Sequence, residues 1–433
     1  MTNVVFVGNC QADALFIAYA GWIAPERGEV VHYVPAYAEA DAAAKERVGQ
    51  ADVIALQICD TEQKVSLADL QTGAHVVMFP HVTAAFLWPF HGGTHPRNAD
   101  IPPACRVAFM GEFGDRWLNQ RIARGDDPQR LLECYRDPAV VTEADLDRFV
   151  ELVVMYQQKR DALCDMRLGD YIMANLTSKP VFTHMHHPNL ELFGLMLREV
   201  FSRLGCSSTE IERALSHHRS SPFPSWEMPI HPRIAEHLGV KWVSDELKYR
   251  FPLFGERVTW DQHCQRYVSH DWNEPLHRCL ALADQNLPRE DLQTLAADLE
   301  TASARYDSSE GYRALSDLRR RLNDLRGSLA AIQRAVSLEP FWWHYATRHA
   351  RLLILTGQWE QGLAVAEDTA AWNPGIAEVR IALCKAYREL GRNQEAVQEA
   401  RAALAIVPDH PHVLSQLAEL ERRIQTCRAH GRR

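Results

Sequence analysis

Near the N-terminus, short unbroken apolar runs alternate with longer segments of helical spacing. NVVFVG (3–8), VVHYV (30–34), DVIALQI (52–58) and HVVMF (75–79) read as strands. After the first, Leu15, Ala18, Tyr19 and Trp22 recur on one helical face. An alanine-rich helix is expected over 38–50, and another short helix before residue 75. Short apolar strands separated by helices predict a parallel sheet covered on both faces. Further on, the pattern predicts a helix opening at Thr142, with Asp145 completing a variant capping box. A strand VFTHM (181–185) and a helix over 190–204 capped by Asn189 follow. The proline-rich tail around Pro222, Pro224, Pro229 and Pro232 is expected to pack on this core.

The C-terminal part has a different period. Pro340, Pro374 and Pro408 are 34 residues apart, the tetratricopeptide step. Ser316, Ala350, Cys384 and Ala418 keep the same step as a small-residue column, and so do Ser328, Gly362 and Ala396. Gly357 and Gly391 fall between paired helices. One helix pair cannot bury its apolar face alone, whereas stacked pairs form a continuous core. Residues 307–408 therefore resemble tetratricopeptide repeats, with 409–427 as a capping helix, and such arrays imply a protein partner. Phe341, Trp342, Trp343 and Tyr345 suit either repeat packing or the concave surface, with packing preferred.

Composition narrows the classes. In 433 residues, 46% hydrophobic and 24% charged content is that of a globular chain of two or three domains. No run reaches the roughly 20 apolar residues that span a bilayer. The apolar start lacks a basic leader and is interrupted by Asn9, Gln11 and Asp13, so a buried strand is expected there and a cytoplasmic location. Ten scattered cysteines without a C-x-x-C pair fit a reducing compartment. A net charge of −9 gives no case for nucleic acid. Lys159, Arg160 and Arg167 remain compatible with a small phosphorylated ligand.

In an open parallel sheet, ligands bind beyond the carboxyl ends of the strands, where strand order reverses. If the second and third strands flank the first, Cys10, Gln57, His81, His184, His186 and His187 share one edge. Cys10 opens a helix, where free N–H groups and the dipole favour a thiolate. Asn9 and Gln11 are placed to stabilise an oxyanion. A small cysteine filling buried space is an equally good reading of the position. His187, beside a turn, suits a general base or acid, and a structural histidine is its alternative. A metal held by His184, His186 and His81 lacks an acidic partner at sensible spacing, so no metal is expected. Gln57 and Asp60 suit substrate positioning or a strand end meeting solvent. The aromatic, Gly- and Pro-broken FPHVTAAFLWPFHGGTHP reads as a loop.

GNCQ, DVIALQICD, FPHV…P, FTHMHHPN and PIHPRIAEHLGV occur in order. This set resembles the WcbI-type polysaccharide biosynthesis acyltransferases over roughly residues 3–260, and its first turn is similar to that of the SGNH hydrolases. The resemblance implies an α/β domain with an SGNH- or flavodoxin-like parallel sheet (1–260), then a helical linker (261–306) and the all-α repeat array (307–427). It also implies acetyl-CoA, or another acyl-coenzyme A, as donor, and a saccharide or glycan precursor, as in capsule biosynthesis, as acceptor. Cys10 takes the nucleophile's place and His187 the base's, with Asn9, Gln11, Gln57, His81 and His184 around the substrate. The SGNH pattern has an aspartate three residues before its base, where this chain has His184. An esterase or thioesterase using the same residues, and a non-catalytic interaction protein, are the alternatives.

Overall fold

The computed structural model describes residues 2–37, 39, 41–59, 73–101, 114–137, 139–218, 223, 227–251, 255–271, 274–408 and 410–430. Strands β1 (Asn3–Gly8), β2 (Val30–Pro35), β3 (Val53–Ile58) and β4 (His75–Pro80) form one sheet in the order β2-β1-β3-β4. All three pairings are parallel. The second and third strands thus flank the first, and strand order reverses between β1 and β3.

Side-chain alternation explains why both faces are covered. On one face Val4, Phe6, Ala55, Val77 and Phe79 pack against helix α1 (Cys10–Trp22) and the helix Leu190–Arg203. On the other, Val5, Val7, Ile54 and Leu56 pack around Val48 of the helix Ala42–Gly49. The expected short helix before β4, Asp60, Pro222 and Pro224 lie outside the described residues.

Two expectations are corrected. The segment 181–185 does not extend the sheet: β5 (Phe182–His184) pairs antiparallel with β6 (His187–Pro188) as a small hairpin. One of its carbonyls is taken by the loop after β4, with Ala84 N and Thr83 Oγ1 both donating to Met185 O at 3.1 and 2.7 Å. Thr142 does not open the long helix, which runs Leu146–Leu163. Asp145 precedes it in the left-handed region, φ 46°, and makes no side-chain cap. Asn189 does cap the helix Leu190–Arg203, accepting from Leu192 N at 2.9 Å.

The repeat region consists of helix pairs Ser309–Arg321 with Leu325–Leu338, Trp343–Leu355 with Trp359–Trp372, and Ala377–Glu389 with Asn393–Ile406, followed by Pro411–His430. Gly357 and Gly391 turn at φ 86° and 74°, where a Cβ is disfavoured. Tyr345 is fully buried and reaches the Glu310 carboxylate, whereas Phe341 is exposed. The helices Trp260–Val268, Pro275–Ala283 and Arg289–Tyr306 share one apolar cluster with residues from Val82 to Ala331. At Pro374–Gly375 the array meets α1 backbone to backbone. A methyl on Gly375 would stand 1.9 Å from Ile17 O, and one on Gly21 2.5 Å from Gly375 N.

Candidate functional site

β1 ends at Gly8, and only glycine fits there. A Cβ would stand 2.5 Å from that of Ala12 and 2.6 Å from Gln57 Oε1. Asn9 then caps α1, its Oδ1 accepting from Gln11 N at 2.9 Å. Its own N–H donates to Gln57 Oε1 at 2.9 Å, and Asn9 Nδ2 lies 4.0 Å from Cys59 Sγ.

Gln11 and Gln57, both fully buried, join four parts of the chain. Gln57 Nε2 donates to Gln11 Oε1 at 3.0 Å, and Val82 N donates to the same oxygen at 3.1 Å. Gln11 Nε2 donates to Val82 O at 2.8 Å and His186 O at 2.7 Å. Both amide hydrogens of Gln11 are therefore engaged, and its backbone N–H is held by Asn9. The oxyanion role expected of Gln11 has no free donor here. Its side chain instead fixes the histidine hairpin against the N-terminus of α1.

The hairpin and the loop after β4 gather imidazoles. Ring centroids lie 5.1 Å apart for His81 and His186, 5.2 Å for His184 and His187, and 4.9 Å for His91 and His184. His187 stacks on Phe223 at 4.9 Å. Burial, then the neighbouring imidazoles and arginines, which oppose a further positive charge, lowers their pKa values to about 3 for His81, about 2 for His184, and about 4 for His91, His186 and His187. All five are neutral at pH 7. His81 Nε2, His186 Nδ1 and His187 Nδ1 are buried without a hydrogen-bond partner among the described residues.

A pH dependence of stability follows. Unfolded imidazoles titrate near 6.5 and the folded ones lower, so below pH 6.5 the unfolded chain binds more protons. Stability is full above about 6.5 and falls toward pH 4, by up to about 1.4 kcal/mol per unit for each buried histidine. Urea titrations at pH 7.5 and 5.0 are expected to show a clearly lower midpoint at pH 5.0. Equal midpoints would mean that the histidines protonate without cost to the fold.

Cys10 is exposed at the first position of α1. Its thiol is nevertheless pushed up to about 11, by the surrounding protein first and the Asp13 carboxylate second. The depression expected at a helix N-terminus is outweighed, and Asn9 already occupies the N–H of Gln11. Cys10 and His187 do not hydrogen-bond to each other among the described residues, so no thiolate–imidazolium pair is formed.

Arg160 is a site residue whose burial the sequence did not show. It arrives on the helix Leu146–Leu163, is 2% exposed and donates to Gln157 Oε1 at 2.8 Å. Its positive charge is felt by both His186 and Cys59, and burial lowers its own pKa. Lys159 and Arg167, grouped with it in the sequence, are exposed. No group of three or more metal-ligating side chains is arranged to hold an ion among the described residues. No helix among them is long and apolar enough to cross a membrane.

Fold and site define a parallel α/β domain with a cysteine and a histidine cluster beyond its strand ends, joined to a tetratricopeptide array. Comparison with known families gives the same two-part division of the chain. Residues 3–209 match the model of the family described as polysaccharide biosynthesis enzyme WcbI, and residues 350–420 match a tetratricopeptide repeat model. No curated protein matches the chain by sequence. One similar solved structure is of WcbI, a polysaccharide biosynthesis enzyme. It is described as native protein without a disulfide bond between coenzyme A and a cysteine of that protein. It is 15% identical with a TM-score of 0.47, over 73% of this chain and 99% of that one. A thermophilic TPR protein from Thermus thermophilus is 21% identical with a TM-score of 0.31, over 36% of this chain and 86% of its own. MamA from Desulfovibrio magneticus is 16% identical with a TM-score of 0.30, over 35% and 86%.

Proposed function

We propose that the protein transfers an acyl group, acetyl in the simplest case, from an acyl-coenzyme A to a hydroxyl of a saccharide or glycan precursor. Polysaccharide biosynthesis in the cytoplasm is the proposed setting, with the repeat array docking a protein partner. The observation that carries this reading lies within the WcbI-matched residues. There neutral imidazoles having unpartnered nitrogens, a buried guanidinium and an exposed Cys10 gather beyond the strand ends.

Each group has a part. The positive charge of Arg160 suits an anionic donor. His187, through Nε2, its ring nitrogen that is not buried, takes the proton of the acceptor hydroxyl as its oxygen attacks the thioester carbonyl. The new C–O bond forms, the C–S bond breaks, and the coenzyme A thiolate takes the proton back from the imidazolium. Asn9 Nδ2 is the side-chain donor left near the first turn for the developing oxyanion. His81 and His184 hold the cluster dry and apolar around the base. A thiol near 11 favours this direct route over an acyl-cysteine, so Cys10 shapes the donor entrance. Release of coenzyme A that depends on an added saccharide tests the proposal against hydrolysis.

A further inference from the structure

Within the repeats, the helices Trp343–Leu355, Trp359–Trp372 and Ala377–Glu389 line an open groove of about 250 Å³. Its floor is apolar, with Ala350, Ile354, Ile381 and Ala386 among the lining residues. Arg351 and Lys385 stand on its walls, and Arg388 lies one turn beyond Lys385 on the same helix. None of these three side chains makes a hydrogen bond or ion pair among the described residues. Nearby Arg348 is different, since its Nε lies 3.6 Å from Asp317 Oδ2. Glu378 and Glu389 also line the groove, and both are exposed.

The cations are close enough to disturb one another. Lys385 is half-buried, and its pKa is lowered by burial first and then by Arg351 and Arg388. Like charges held together raise the local potential, and at Lys385 the effect of Arg351 and Arg388 outweighs that of the Glu389 carboxylate. They do so here in a chain whose net charge is −9, so the patch is not a share of general basicity. A carboxylate entering between Arg351 and Lys385 would relieve this repulsion and gain charge-assisted hydrogen bonds.

We infer that this groove binds an acidic peptide segment in which carboxylates alternate with apolar side chains. The carboxylates meet Arg351, Lys385 and Arg388, and the apolar side chains meet Ile354, Ile381 and the alanines. An acidic glycan would satisfy the cations but not the apolar floor. A single-stranded nucleic acid would need aromatic stacking surfaces, and no aromatic ring lines the groove. The inference deepens the reading of the array as a docking surface and rests on it. It is independent of the acyl-transfer chemistry.

The test uses the full chain and three short fluorescein-labelled peptides of identical apolar spacing, carrying Glu, Gln or Lys at the polar positions. Fluorescence anisotropy is expected to show the Glu peptide binding at least about tenfold more tightly than the Gln peptide, a difference of about 1.4 kcal/mol. Binding should weaken as salt is raised past the point where the Debye length falls below about 8 Å. Arg351 is exposed, so R351E should melt like the unaltered chain while losing about tenfold or more in affinity for the Glu peptide. Equal binding of the Glu and Gln peptides would overturn the electrostatic inference and leave the docking reading standing. Absence of binding by all three would overturn both. Unchanged affinity in R351E would place any binding elsewhere.

Discussion

Replacing Gln11 with alanine is expected to destabilise the protein by about 3–5 kcal/mol and to abolish acyl transfer. The substitution removes two donated and two accepted hydrogen bonds from a fully buried amide. Val82 O, His186 O, Val82 N and Gln57 Nε2 each lose a partner, and a buried orphan of this kind costs about 1–3 kcal/mol. Since a domain's whole stability is about 5–15 kcal/mol, thermal melting should shift by many degrees or the chain should fail to fold. Gln11→Glu keeps the shape, but a carboxylate cannot donate to two carbonyls. Its deficit against the unaltered protein should be largest at neutral pH and shrink in acid, where a protonated carboxyl donates once. Gln57→Ala in the Gln11→Ala background should add little, because the two amides form one network. A melting shift within a degree or two for Gln11→Ala would show that the network does not hold the hairpin.

Exchanging His187 for alanine should lower kcat by about 10²–10⁴-fold, the usual contribution of a positioned proton acceptor. The KM for acyl-coenzyme A should change little, because the ring acts on the acceptor. Cys10→Ala should stay within about tenfold of the unaltered rate. With its pKa near 11, Cys10 is thiolate in only about one molecule in ten thousand at pH 7. That fraction is too small for the thiol to carry turnover without an activating partner. Steady-state kinetics on both variants, with melting curves to confirm folding, decide the matter. A dead Cys10→Ala with an active His187→Ala would reverse the assignment and restore a covalent route.

Much of this was legible in the sequence, because the signals are local and repeated. The columns through Ser316, Ala350 and Cys384 at a fixed step specify stacked helix pairs, and the structure contains them. The first four apolar runs gave a parallel sheet whose order places Cys10 and Gln57 at one edge. What escaped depends on distant partners. Gln11 bonds to Val82 and His186, 71 and 175 residues away, and no short motif carries that. A helix start suggests a reactive thiol, yet whether desolvation outweighs the dipole depends on what packs around Cys10. Arg160 reads as one of several helical cations, and burial is what singles it out. VFTHM has the apolar character of a sheet strand, but the backbone turns back at once and the loop after β4 takes the Met185 carbonyl.

The central claim is that coenzyme A leaves only when a saccharide hydroxyl accepts the acyl group. The most direct measurement follows free coenzyme A released from acetyl-coenzyme A by the full chain, with and without a panel of saccharide acceptors, alongside mass analysis of the sugars. The account predicts little release without acceptor, and with the right one a matched yield of acetylated saccharide. Release at the same rate without any sugar, yielding free acetate, would contradict it and make the protein a thioesterase.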